Sequence, residues 1–110
     1  MGITRTEVHT EADLAVATWA RIFSNPARVA ILRCLLESDS CITGSLSETI
    51  GLAQPTISLH LKEMKMAGLI KGRVSGSSLN YCINLEQWEE CKRVMSGYFN
   101  QNLASDCCCK

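Results

Sequence analysis

Gly51, Pro55 and Gly68 cut the stretch 46–84 of this chain into pieces that admit few arrangements. Leu46 and Ile50 share one helical face, and Ser45 with Glu48 three positions on offers a capping box for a short helix. Gly51 falls where that helix must stop, because glycine enters the left-handed conformation without a side-chain clash. After a short turn Pro55 stands in an opening helical turn, where the missing amide hydrogen has no intrahelical partner to lose. Ile57, Leu61 and Met64 then repeat at helical spacing, Gly68 closes the helix, and Leu69 and Ile70 return to the core. One face of this helix is therefore core and the other is free. Near its start the free face carries Gln54, Thr56, Ser58 and Lys62, short polar groups that reach base edges and a base that reaches phosphate.

Two strands are predicted next, 70–74 and 79–83, joined by Ser75, Gly76, Ser77 and Ser78, a turn-forming run between apolar segments. Lys71 and Arg73 on such a hairpin are placed to meet a phosphate backbone. Short helix, turn, longer helix with a polar outer face, then a glycine-tipped hairpin make a winged helix-turn-helix. The competing reading is an α-plus-β fragment of some other small domain.

The rest of the chain extends this into a mainly α fold with a small β-hairpin: four helices, two strands and a last helix. Residues 1–11 read as a loose polar arm and 12–23 as a first helix. Asn25 before Pro26 is an N-cap followed by a first-position proline, opening a second helix to about residue 37 whose Val29, Ile31, Leu32, Leu35 and Leu36 are apolar enough for the core. Ser38, Asp39 and Ser40 end it. Asn84, with Gln87 three positions on, opens a last helix predicted over 85–103, with Leu85, Trp88, Cys91 or Lys92, Met95, Tyr98 or Phe99, and Leu103 along its apolar stripe. That aromatic surface exceeds what so small a core needs, and with the first helix it predicts a homodimer interface. Residues 1–103 are expected to form one DNA-binding and dimerisation domain, and 104–110 a cysteine-rich tail.

At 110 residues the chain suits a single core. Its formal net charge is zero, yet residues 53–73 hold Lys62, Lys65, Lys71 and Arg73 against Glu63 alone, a local balance of 4 − 1 = +3. A dimer doubles that basic face. No apolar run approaches the length of a membrane span and no export signal opens the sequence, so a cytoplasmic protein with no membrane partner is expected. Seven cysteines, an odd number without framework spacing, are expected as thiols that bind metal or become oxidised. A Cys-His or Ser-His-acid pairing is not found, and an enzyme is not expected.

Ser24-Asn25-Pro26-Ala27-Arg28 with Ile31-Leu32, the run from Gly51 through Gln54-Pro55-Thr56-Ile57-Ser58-Leu59-His60-Leu61, and Ala67-Gly68-Leu69-Ile70 together resemble the ArsR/SmtB family of bacterial metal-sensing repressors. The resemblance spans residues 20–99. It implies a homodimer that sits on double-stranded operator DNA near its own gene and leaves when an inducer binds. Two positions depart from the family pattern. Ala53 stands where a capping serine is common, and Leu59 where a polar or basic residue is usual, so that Leu59 would touch a thymine methyl instead. His60 occupies the family's usual histidine position, with helix packing or phosphate contact favoured over a metal role. The candidate DNA-binding set comprises Gln54, Thr56, Ile57, Ser58, His60, Lys62 and Arg73; Ile57 stands both in this set and in the apolar stripe.

Cys107, Cys108 and Cys109 are consecutive, and no core needs such a run. Thiolates are soft ligands, and a tail can turn two or three of them onto one soft ion. Arsenic(III) or antimony(III), which take three sulfurs in a pyramid, are the expected inducers, with cadmium, lead and zinc as alternatives and an inert solvated tail as the bland reading. The family's Cys-x-Cys arsenic site at the start of the third helix is incomplete: Cys41 stands for its first member, but Thr43 or Gly44 falls where the second belongs. The last helix has no histidine, against the pattern of the zinc and cobalt sensors. Cys34 reads as a core thiol, while Cys82 and Cys91 are open candidates for a further sulfur. A thiol redox or persulfide sensor of the same fold is the leading alternative, although Arg33 and Phe99 occupy the positions of that type's cysteine pair, with Cys34 only adjacent. A metal- or thiol-transferring protein on a borrowed winged fold is a third reading.

Overall fold

The computed structural model describes residues 8–37, 42–43, 46–75 and 78–102. The expected helix-ending serines and aspartate at 38–40, Cys41, the Ser45 cap, the hairpin residues 76–77, Leu103 and the cysteine tail lie outside the described residues.

Helix α1 (Glu11–Ile22) starts at a capping box. The Thr10 hydroxyl accepts from the Asp13 amide at 3.0 Å, and the Asp13 carboxylate accepts from the Thr10 amide at 3.1 Å. Helix α2 (Pro26–Glu37) begins as its sequence dictates, the Asn25 side chain accepting from the Ala27 amide at 2.8 Å with proline in first position. It buries Ile31, Leu32 and Leu35 and forms the centre of the core. Helix α3 (Leu46–Ile50) buries Leu46 and stops at Gly51, whose φ of +85° is the left-handed conformation expected there.

Helix α4 (Gln54–Met66) turns Ile57, Leu61 and Met64 inward. Each such side chain removed from water contributes about 1.5–3 kcal/mol, so three on one stripe set which side of the helix faces out. The helix ends in a Schellman motif: Gly68 sits at φ +88°, its amide donates to Lys65, and the Leu69 amide reaches back to the Met64 carbonyl at 3.2 Å.

Leu69 is fully buried, and its carbonyl accepts from the Asn84 amide at 2.9 Å. One peptide unit pair thus joins the end of α4 to the start of the last helix. Between them run β2 (Ile70–Ser75) and β3 (Ser78–Ile83), antiparallel and in register from Ile70 against Ile83 to Ser75 against Ser78.

A third strand, β1 (Ile42–Thr43), adds to the far side of β3, giving the order β1-β3-β2. This corrects the two-strand expectation. Two residues are too few for an alternating pattern to register, and only pairing on β3 makes them a strand.

Helix α5 (Leu85–Phe99) opens on Asn84, whose side chain accepts from the Gln87 amide, and packs against α1. It ends at Phe99, four residues before the sequence-based limit. The amide of Asn100 still bonds back to Ser96, and Asn100, Gln101 and Asn102 are polar and exposed. Of the expected stripe, Cys91 is buried and Trp88 and Met95 are half-buried, whereas Leu85, Tyr98 and Phe99 are exposed.

Candidate nucleic-acid interface

The outer side of α4 carries Gln54, Thr56, Ser58, Leu59 and Lys62, all exposed. Ile57 is not among them: at 1% exposure it belongs to the core, and its inclusion with the DNA-binding candidates is corrected by its place in the same inward stripe as Leu61 and Met64. The Gln54 side-chain amide donates to the Ser58 hydroxyl at 3.2 Å, so two of the polar groups hold each other one turn apart. Ala53 gives α4 no side-chain cap and the first turn holds no acid, which leaves the positive end of the helix uncompensated.

His60 sits on the flank of the helix, half-buried, and its Nδ1 accepts from the Arg28 Nε–H at 3.1 Å. The same guanidinium pairs through its Nη2 with Glu63. The one acid among residues 53–73 is therefore held by a cation from α2. Among the described residues, Lys62, Lys65, Lys71 and Arg73 make no ion pair, so the basic charge read from the sequence is available at the surface. Lys71 and Arg73, two apart on β2, share one face of the wing and are exposed. Sequence reading noted Arg28 only as part of a motif. Its partners lie on another helix, and no spacing within the sequence reveals such a contact.

The cysteines divide by environment. Cys91 is buried between α5 and the core, and burial pushes its thiol above the ordinary range, away from the thiolate that binds metal or attacks disulfides. Cys34 is half-buried and free, packed against the core as expected. Cys82 on β3 is disulfide-bonded. No group of three metal-ligating side chains occurs among the described residues. Cys107, Cys108 and Cys109 fall outside them.

Helix α5 and the end of α1 form an open apolar groove of about 450 Å³ lined by Ala20, Phe23, Trp88, Cys91, Met95 and Phe99. The Phe23 and Trp88 rings meet at 6.3 Å. Among the described residues no helix is long and apolar enough to cross a membrane.

Helix α3, a glycine turn, α4 with its polar and basic outer face, and an antiparallel hairpin bearing two cations define a winged helix-turn-helix. Residues 25–71 match the family described as bacterial regulatory protein, arsR family, so this segment is similar to the helix-turn-helix of that family. The chain is 37% identical over 57 residues to the uncharacterized HTH-type transcriptional regulator MJ1325 of Methanocaldococcus jannaschii, covering 52% of this chain and 64% of that protein. It is 38% identical over 61 residues to the HTH-type transcriptional repressor SmtB of Mycobacterium tuberculosis, covering 56% of this chain and 44% of that protein. The chain thus spans less than two thirds of the length of these relatives, which are named as transcriptional regulators. In fold it is similar to HlyU from Vibrio cholerae, with a TM-score of 0.65 at 22% identity over 84% of this chain and 100% of that one.

Proposed function

We propose that this protein is a transcriptional repressor of the ArsR/SmtB type. It binds operator DNA as a homodimer and is released by a soft thiophilic inducer, arsenic(III) or antimony(III), captured by Cys107, Cys108 and Cys109. The observation that carries the reading is the outer face of α4, where Gln54, Thr56, Ser58 and Lys62 are exposed while Arg28 pairs with Glu63, the one acid of residues 53–73. Such a helix inserts into a major groove, and Arg73 on the wing meets the flanking phosphates. Two copies joined through the α1–α5 groove, with Tyr98 and Phe99 covered, present two α4 helices to half-sites about 34 Å apart. The inducer assignment rests on the three consecutive thiols of the tail, supported by the burial that disqualifies Cys91 as a competing thiolate. A coupling of about 1–3 kcal/mol between the tail and the DNA face corresponds to roughly a fivefold to hundredfold change in operator affinity.

The test is fluorescence anisotropy of the reduced protein on DNA from upstream of its own gene, with and without excess arsenite. Selective binding lost with arsenite, and kept when residues 107–109 are replaced by serine, supports the proposal. Binding indifferent to arsenite and antimonite removes these ions as inducers.

The disulfide at Cys82 favours one other reading, a repressor of the same fold that responds to thiol oxidation. Peptide mapping without reductant identifies the partner of Cys82, and a mild oxidant then releases DNA where arsenite does not.

A further inference from the structure

Only one side chain contact of the charged, forked kind ties the recognition helix to the helix behind it among the described residues. Arg28, on the first turn of α2, is 16% exposed in its side chain and reaches two groups three residues apart on α4: its Nε–H donates to His60 Nδ1, and its Nη2 pairs with Glu63. A guanidinium is planar and presents its donors in a fixed fork, so satisfying both acceptors at once fixes its position relative to α4.

We propose that Arg28 is a positioning residue for sequence reading. The apolar stripe of Ile57, Leu61 and Met64 sets which side of α4 faces out, and the Arg28 fork sets the remaining rotation of the helix about its own axis. The magnitude is geometric. Groups on the surface of a helix lie about 5 Å from its axis, so a turn of about 10° carries them about 1 Å. That displacement spoils a bidentate contact to a base edge while leaving a lysine or arginine within reach of phosphate, because base contacts specify and phosphate contacts tolerate movement. Arg28 thus governs specificity and not general affinity for DNA. The inference rests on the operator-binding reading above.

The experiment measures binding of full-length protein to two labelled duplexes, one from upstream of its own gene and one of scrambled sequence and equal composition. Four proteins are compared: wild type, Arg28→Lys, His60→Ala and His60→Asn. Lysine keeps a charge for Glu63 but lacks the fork. Asparagine keeps an acceptor near the place of Nδ1, and alanine does not.

The expected result for Arg28→Lys is about a tenfold loss on the upstream duplex with scrambled-duplex binding unchanged within twofold, the loss of about one good base contact. His60→Ala is expected to lower the ratio of the two affinities similarly, whereas His60→Asn keeps the ratio even if both affinities fall together. An unchanged ratio in Arg28→Lys overturns the proposal, as does an equal loss on both duplexes, which makes Arg28 a plain phosphate contact. If Arg28→Lys does not fold, the two His60 variants decide, and equal ratios in them overturn it. A wild-type protein without preference for the upstream duplex refutes the operator reading itself and this inference with it, a result distinct from the others.

Discussion

Replacing Gly68 by alanine isolates one backbone conformation at the end of α4. At φ +88° an alanine carries the left-handed penalty of about 1–2 kcal/mol. Against this, the stiffer unfolded chain returns about 0.4–1 kcal/mol. No steric cost is added, because the nearest atom to the new methyl group is Cγ of Gln87 at 3.9 Å, ordinary contact distance. The net expectation is a loss of about 1 kcal/mol, a fall in melting temperature of roughly 4–8 °C for a domain of this size. Gly51, at φ +85° with nothing within 4 Å, should lose the same amount despite its different surroundings. Gly97, inside α5 and equally open but without a positive φ, should instead gain up to about 1 kcal/mol as alanine. Urea unfolding at fixed protein concentration, followed by the fluorescence of Trp19 and Trp88, measures all three. A neutral or stabilising Gly68→Ala refutes the assigned conformation, and a loss beyond about 3 kcal/mol refutes the absence of a clash.

Ile57→Ala should cost about 2–5 kcal/mol of stability in the same assay, while the neighbouring Ser58→Ala stays within about 0.5 kcal/mol yet weakens operator binding; equal stability losses would contradict the division of the helix into two faces. Asn25→Ala should cost about 1 kcal/mol through loss of the α2 cap, seen as a lower urea midpoint. For Cys91 the folded state favours the protonated thiol, so the stability it lends is full below the thiol's unfolded value and is lost as pH rises through the raised folded one. Urea midpoints should therefore fall on the alkaline side of about pH 8.5, and Cys91→Ala should flatten that limb. Arg73→Ala should weaken binding to all DNA sequences alike and reduce the slope of log affinity against log salt by about 1, measured by anisotropy across a salt series.

Local chemistry made much of this fold readable. The Asn25-Pro26 start, the glycine stops at 51 and 68, the Asn84 cap and the inward triplet of α4 each depend on residues close in sequence, and the structure places them as expected. What escaped depends on residues brought together by folding. Strand β1 exists only because β3 accepts it, and Arg28 acquires its role from a helix more than thirty positions away. Helix α5 shows the limit of periodicity: apolar spacing continues past its true end, and backbone termination near Asn100 overrides it. The candidate interface is legible as a set of polar groups, and the spacing of Ile57 with Leu61 and Met64, not its nearness to the helix start, is the signal that sets it inside.

The junction at Leu69 has a consequence for how such a protein can change over generations. Its two bonds, to the Met64 carbonyl and from the Asn84 amide, are both made of main chain. Side-chain replacements do not remove them; only proline at position 69 or 84 deletes a donor. The seam between α4 and α5 is thus insulated from mutational drift, while the exposed side chains of α5 are free to be exchanged. Changes can be tried at one end of the molecule without rebuilding the connection to the other.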